Sequence, residues 1–381
     1  MHRITILRRR AQKMALETPL LLPTKDDRIA SKVDIRILSD NDPMWDQIRS
    51  NTMFSIYHTK SWKSIVEETF KHSGAYITAS ENGDLVDALP FFLTKSHWMG
   101  EKLISTPYEG CNGGFSSPRV EVRKMLIERI LEYALKLNVK YVEIRSGFPM
   151  GELKESGFIE KRPLLISEIT LKNLDENWRR LSRNHRRNVR VAQKKGVSVV
   201  PASSWAEMEI FYELLVDHYK SLGTPFFGKK FFRKIWDKLI QQGDAHLLLA
   251  KFDQEIIGGH LLFFSGKTLI SKYSACKKNK GFSKLYPAYA LFWEGIRVGI
   301  DRHFRKFNLG ITGECNTGLL DFKSRFGSKN RPVYFYYYPI SGKIPDYARY
   351  YESHPLLKTI WRTAPRSLTT VLGQKINEWI C

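Results

Sequence analysis

Two stretches of the chain run through the same alternation of apolar and polar positions. Ala79-Ser-Glu-Asn-Gly-Asp-Leu85, with Pro90-Phe-Phe92 beyond it, reads as strand, polar turn, strand; Ala250-Lys-Phe-Asp-Gln-Glu-Ile256, with Leu261-Leu-Phe263, reads the same way 171 residues later. Leu103-Ile-Ser105 then matches Leu269-Ile-Ser271 at offset 166, Gly114-Phe115 matches Gly281-Phe282 at 167, and Tyr141-Val-Glu-Ile144 matches Lys306-Phe-Asn-Leu309 at 165. The drift falls in a hairpin loop, where length changes are tolerated. Between these strands Met125, Ile130, Leu131, Ala134 and Leu135 recur at helical spacing, as do, less cleanly, Ala290, Leu291, Trp293, Glu294 and Ile296 to Val298. Four correspondences in one order describe a duplicated unit.

Each copy therefore holds a hairpin, a crossover helix and a returning strand, a mixed α/β layered architecture. The expected division is a basic N-terminal extension over 1–32, a first domain over 33–170, a second over 171–340 and a helical tail over 341–381. In the tail Leu368, Val371, Leu372, Ile376, Trp379 and Ile380 sit at helical spacing beyond Pro365. Such a helix either covers one of the domains or lies on a membrane surface.

Composition narrows the partners. Sixty-one Lys and Arg against 39 Asp and Glu in 381 residues leave a net charge of +22, with 43% hydrophobic residues. This describes a soluble globular chain that meets an anionic partner: nucleic acid, a phosphorylated donor or a membrane surface. No window approaches the roughly 18 consecutive apolar residues of a spanning helix. The opening MHRITILRRRAQKMALE has only a four-residue apolar stretch and predicts no signal peptide. Four scattered cysteines with no CxxC pair predict a reducing, cytoplasmic setting, extended to the inner face of the membrane if the tail touches lipid.

The charge concentrates at the junction of the copies. From Arg179 to Lys195 there are eight Lys or Arg, one His and no acid. On one continuous helix Trp178, Leu181, His185, Val189 and Ala192 form an apolar stripe, with Arg179, Arg183, Arg186, Arg187, Arg190 and Lys194 opposite. Like charges at i,i+4 repel unless an anion neutralises them, so this face is read as a contact for donor phosphates, tRNA or lipid head groups. His185, centred in the stripe, is read as a packed core histidine.

No HExxH, GxSxG or P-loop pattern occurs, and no Cys/His pair has metal-ligand spacing; the metal expectation is none. These absences favour direct acyl transfer from an activated ester or thioester to an amine, which needs a slot for both partners and donors for the oxyanion. Suitable groups are densest from Lys306 to Tyr338, where a strand runs into Gly310-Ile-Thr-Gly-Glu314 and Gly318-Leu-Leu-Asp-Phe-Lys-Ser-Arg-Phe-Gly327. The strand's carboxyl end is the ligand-binding edge of an open α/β sheet. Lys323 and Arg325 are candidates to hold a phosphate or oxyanion, and Glu314 or Asp321 to orient or deprotonate the amine. Tyr286 and Tyr289 flank Pro287 where a helix begins, either as core aromatics or as the wall of a donor site.

Arg183 to Gly196, Phe211-Tyr-Glu-Leu214, His218-Tyr-Lys-Ser-Leu-Gly-Thr-Pro225, Ala250 to Gly259 and Gly318 to Gly327 together resemble the FemAB-related proteins. These form the double-domain branch of the GNAT acyltransferase superfamily and include the BioF2-like acetyltransferases. The likeness covers most of 45–340, and Trp361 to Pro365 with Leu372-Gly373 resembles that group's tail. The resemblance implies tandem GNAT folds, with the donor bound where Thr268 to Cys276 and Lys306 to Gly310 part. Tyr273 and Ser274 are then donor-binding candidates, and Lys323, in FKxxFG, is the contact for acceptor or oxyanion. Thr106-Pro-Tyr-Glu-Gly110 and Gly113-Gly114 would shape an acceptor cleft. Acetyl-CoA enzymes of the superfamily carry a Q/RxxGxG/A loop, whereas Lys277-Lys-Asn-Lys-Gly-Phe-Ser-Lys284 has a single glycine. The donor is therefore acetyl-CoA or aminoacyl-tRNA, not a tightly bound cofactor, and the acceptor an amine of a peptidoglycan or polysaccharide precursor. The rival reading is a non-catalytic nucleic-acid or membrane-surface binder that keeps the fold as scaffold.

Overall fold

The structure is a computed structural model that describes residues 33–96, 100–108, 111–344 and 355–380; the N-terminal extension lies outside them. The first half runs β1 (Val33–Ile37), α1 (Met44–Ser50), α2 (Lys60–Phe70), β2 (Ser73–Glu81), β3 (Asp84–Ser96), β4 (Gly100–Ile104), α3 (Val120–Leu137), β5 (Tyr141–Ser146), α4 (Gly151–Glu155) and β6 (Ile159–Thr170). The second opens with α5 (Leu174–Arg180), α6 (Arg183–Lys194), β7 (Ser198–Pro201), α7 (Trp205–Leu222) and α8 (Lys229–Ile235). It continues with β8 (Ala245–Phe252), β9 (Glu255–Ser265), β10 (Thr268–Cys276), α9 (Lys280–Ser283), α10 (Pro287–Asp301), β11 (Lys306–Thr312), α11 (Thr317–Ser324) and β12 (Lys329–Pro339). Helices α12 (Pro355–Thr363) and α13 (Arg366–Ile380) form the tail.

The twelve strands among the described residues join one mixed sheet, in the order β1-β2-β3-β4-β5-β12-β6-β11-β10-β9-β8-β7. The repeat is visible in it: β1 to β5 and β7 to β11 build the two wings in the same order, each with one parallel step, β4 to β5 and β10 to β11. The last strands are exchanged. β6, from the first half, lies against β11 of the second, and β12 lies against β5 of the first. β6 and β12 then pair with each other at the centre.

The wings are covered where their helices are amphipathic. Helix α3 lays Val122, Leu126, Ile127 and Ile130 on the first wing, and α10 lays Leu291 and Ile296 on the second. A third core spans both halves: Trp62 and Tyr57 of the first meet Phe231 and Phe263 of the second, with ring centroids 6.1–6.4 Å apart. Into this seam β10 extends Lys272, whose Nζ lies 5.4–5.7 Å from the Tyr57, Trp62 and Tyr273 rings and donates to Tyr108 O at 2.9 Å. A cation over three aromatic faces is attracted by each, which helps to hold Lys272 at the seam.

Burial pulls the imidazoles of His58, His72 and His260 down to about 4, with the Lys102 charge adding to the effect on His72. A histidine neutral when folded but protonating near 6.5 when unfolded contributes stability that is complete above 6.5 and drains as pH falls toward 4, up to about 3 kcal/mol each. Asp87, whose carboxyl burial lifts to about 6, acts in the opposite sense and offsets one of the three. The melting temperature should therefore fall by several degrees between about pH 7 and about pH 5 in a calorimetric scan. A level profile through that interval would contradict the buried neutral histidines.

Candidate active site

The two parallel steps end alike. β10 pairs with β11 at Thr268↔Lys306, Leu269↔Phe307 and Ile270↔Asn308, and β4 with β5 at Leu103↔Val142 and Ile104↔Glu143. These are the residues the repeat aligns, so both copies share one register. Beyond it they diverge. In the first copy Ser105 N–H donates to Glu143 O at 2.9 Å, Arg145 N–H donates to Ser105 Oγ at 3.1 Å, and Arg145 Nε ties to the Glu143 carboxylate at 2.6 Å, lacing the strands together. In the second, Asn308 stands at the position of Glu143, and its Oδ1 accepts from Gly310 N–H at 2.7 Å. Gly310 takes φ +82°, a conformation that favours glycine, and the chain turns away. The pairing of β11 with β6 shifts register between Asn308 and Ile311, and that of β10 with β9 between Ser271 and Tyr273.

Lys323 reaches into this turn. Asn316 caps α11 by accepting from Leu319 N–H at 3.2 Å, which sets the helix so that Lys323 points back at β11. Only 4% exposed, its Nζ donates to Gly310 O at 2.8 Å and Thr312 Oγ1 at 2.7 Å. Burial pulls the ammonium down to about 8. Its acceptors are neutral and no acid among the described residues pairs with it, so its charge acts on whatever meets the carboxyl end of β11. Across the gap, Ser271 Oγ lies 2.7 Å from Nε2 of His260, a ring buried against Phe292.

The other expected residues are placed differently. Asp321 and Arg325 pair with each other across one helical turn, 2.9 Å apart and exposed, so each is partly neutralised by the other. Glu314 is exposed in the loop between β11 and α11. Tyr273 is buried against Phe226 and Phe232, with Ser274 half-buried beside it. Tyr286 is the residue before α10, at φ +55°, and Tyr289 packs on His185, Phe322 and Phe326.

The basic helix is two helices. Leu181 is extended (φ −63°, ψ 140°) and Ser182 caps α6 by accepting from His185 N–H. The break has a consequence for the arginine face. Arg186 Nη1 donates to Arg179 O and Leu181 O, at 2.9 and 2.7 Å, satisfying carbonyls freed at the end of α5. Its Nη1 thus serves as a structural bracket. Arg190 lies over the Trp178 ring at 5.3 Å. Arg183, Arg187 and Lys194 remain exposed with no acid paired to them among the described residues. His185 is the buried core histidine expected, with Nδ1 3.2 Å from Ser182 Oγ and Nε2 3.2 Å from Phe322 O, which fixes α6 against the helix that carries Lys323.

A cavity of about 470 Å³ lies elsewhere, beyond the carboxyl ends of β4 and β5. Its walls come from both halves: Asn112, Ser116 and Phe148 face Lys267, Thr268 and Arg331. Arg331 is held by a two-pronged pair with Glu168 at 2.8 and 2.9 Å and by Gly147 O. Gly114 lines this cavity and Tyr108 meets Lys272, whereas Glu109 and Gly110 lie outside the described residues. Lys267 and Arg331 carried no sequence signal, because the loops that bring them together are scattered along the chain.

Residues 179–324 match the family model for the acetyltransferase (GNAT) domain. No curated protein matches the sequence. Among solved structures the chain is similar to FemX, at 16% identity and a TM-score of 0.69 over 85% of this chain and all of that one. It is also similar to a conserved protein of unknown function from Bacteroides thetaiotaomicron VPI-5482, at 10% identity and a TM-score of 0.54 over 81% of this chain and 99% of that one. The fold is thus a mixed α/β fold of GNAT type, and the chain carries an acyltransferase domain.

The break in the basic helix separates two arginines by function. Arg186→Ala should cost about 1–2 kcal/mol in urea unfolding, because two helix-end carbonyls lose their donor. Arg187→Ala, on the exposed side, should stay within about 0.5 kcal/mol. Equal effects would remove the bracket assigned to Arg186.

Proposed function

We propose that the chain is a FemAB-like N-acyltransferase that moves an aminoacyl or acetyl group from an anionic donor to an amine of a cell-envelope precursor, within a ternary complex. The observation that carries this reading is the buried Lys323 ammonium, set against Gly310 O and Thr312 Oγ1 where β10 and β11 part. In such a slot the acceptor amine attacks the donor carbonyl and a carbon–nitrogen bond forms. The tetrahedral oxyanion then collapses, breaking the bond to the thiol of coenzyme A or the terminal hydroxyl of tRNA, and the amine's proton leaves with that group or with solvent. Lys323 positions the turned strand and stabilises the oxyanion by its charge, the largest contribution available to a site of this kind.

The donor's phosphates have a counterpart in Arg183, Arg187 and Lys194 on α6, which His185 keeps beside α11. That exposed strip also supports the reading of a non-catalytic polyanion binder. The polar cavity between the halves has the size of a small-molecule site and offers Arg331, Lys267 and several hydroxyls to the body of an acceptor.

The test supplies labelled acetyl-CoA and charged tRNA in separate reactions with an envelope extract. Transfer by the wild type with one donor is expected, with a loss of about a hundredfold in Lys323→Met and an unchanged circular dichroism spectrum. Unimpaired transfer in Lys323→Met removes its catalytic role. No transfer with either donor, alongside tRNA binding abolished by Arg183→Glu with Arg187→Glu, establishes the binder instead.

A further inference from the structure

The C-terminal helices dock by one side and leave another uncovered. On the docked side the fit is close to backbone contact: a side chain at Gly223 would come within 2.7 Å of Lys358 O, and one at Gly373 within 2.6 Å of Phe226 O. Thr369 is buried, Trp361 lines a small recess with Tyr212 and Phe226, and Tyr108 Oη donates to Asn377 O at 3.1 Å. Arg366 is held by Glu213 and by Asp217, the latter at 3.4 Å. The tail thus lies across both halves, α12 against α7 and α13 also against β3 and Tyr108.

The outward side does not match that role. Ile360 is 61% exposed, Leu368 48% and Leu372 37%, and Leu222, at the end of α7, is 45% exposed. Arg362 donates to Leu222 O at 3.5 Å, which sets α12 beside the end of α7, and Lys278 reaches the neighbouring Ser221. By helical spacing Leu368, Leu372 and Lys375 form one stripe of α13. Lys278, Lys358, Arg362 and Lys375 are all exposed, and Glu378, near the end of α13, is the only Asp or Glu from residue 355 to residue 380.

We propose that this face binds the surface of an anionic lipid bilayer. Helices α12 and α13 lie in the headgroup plane, with Leu222, Ile360, Leu368 and Leu372 entering the acyl boundary and the four cations meeting lipid phosphates. Exposed apolar side chains set among an excess of cations are the signature of an in-plane interfacial helix, in which hydrophobic burial and headgroup attraction add. A nucleic acid would match the cations but leave the apolar side chains in water. A second copy of the chain, itself carrying +22, would meet repulsion at this cationic face. No described helix is long and apolar enough to cross a membrane, so the contact is peripheral.

Sedimentation of the full chain with lipid vesicles tests this directly. Vesicles containing about a third phosphatidylglycerol should bind it at least about tenfold better than pure phosphatidylcholine, with the difference shrinking in high salt. Ile360→Asp with Leu368→Asp should weaken binding by about tenfold or more, as should Lys358→Ser with Arg362→Ser, while Lys136→Glu on α3 leaves it unchanged. Leu372→Ser repeats the apolar test should the double aspartate variant melt early. Wild-type binding that none of the tail variants alters, or no binding at all, overturns the proposal. So does light scattering that shows a dimer dissolved by the aspartate substitutions.

Discussion

The gap between β10 and β11 exists because β11 is held from its other side by a strand of the first half. A strand released along one edge leaves its N–H and C=O groups without partners, and that is tolerable only where the opposite edge is satisfied. β6 provides this support as far as Thr312, well past the point at which β10 departs after Ile270. Glu168 on β6 reinforces it by pairing with Arg331 on β12 at 2.8 Å and with Lys306 on β11 at 3.6 Å. The halves are therefore not independent supports for a site. Each lends its last strand to the other, and dividing the chain near residue 170 would strip from each wing the strand that pairs with its inner edge.

The same dependence runs through the seam. Tyr108 receives Lys272 from β10 on its carbonyl and gives its hydroxyl proton to Asn377 of the tail, and its ring stacks on Phe70 at 4.0 Å. One first-half residue thus touches the strand that borders the gap and a helix of the tail. Its φ of +66° is uncommon for a tyrosine, a local strain maintained by contacts on every side.

Much of this was legible in the sequence. The repeat aligned equivalent strands correctly, since Leu103 pairs with Val142 as Leu269 pairs with Phe307, and the sequence had matched these positions between the copies. The exchange of β6 and β12 was not legible, because an apolar alternation states that a strand is paired but not with which partner. The division of the basic helix was missed because Leu181 fits the apolar stripe of an unbroken helix, although Ser182 three residues before His185 is an ordinary helix-start signal. The Asp321–Arg325 pair, at spacing i,i+4, was likewise within reach of helical geometry. The large cavity was beyond reach, since its walls come from loops far apart in the chain.

The fate of the positive charges separates structure from chemistry. Arg186 brackets a helix end, Arg190 lies on Trp178, Arg325 is partly neutralised by Asp321, and Arg331 is locked to Glu168. Lys323 alone among these is buried with only neutral oxygens for company, a costly arrangement that a hydrophobic side chain of similar length would avoid. The matching position on the other strand tells the same story: where the first copy has Glu143 and closes with Arg145, the second has Asn308, opens, and admits the lysine. The duplicated fold thus keeps one copy laced and the other parted, with a buried cation on neutral oxygens at the parting, and on the proposed reading an anionic transition state would offset the cost of burying it.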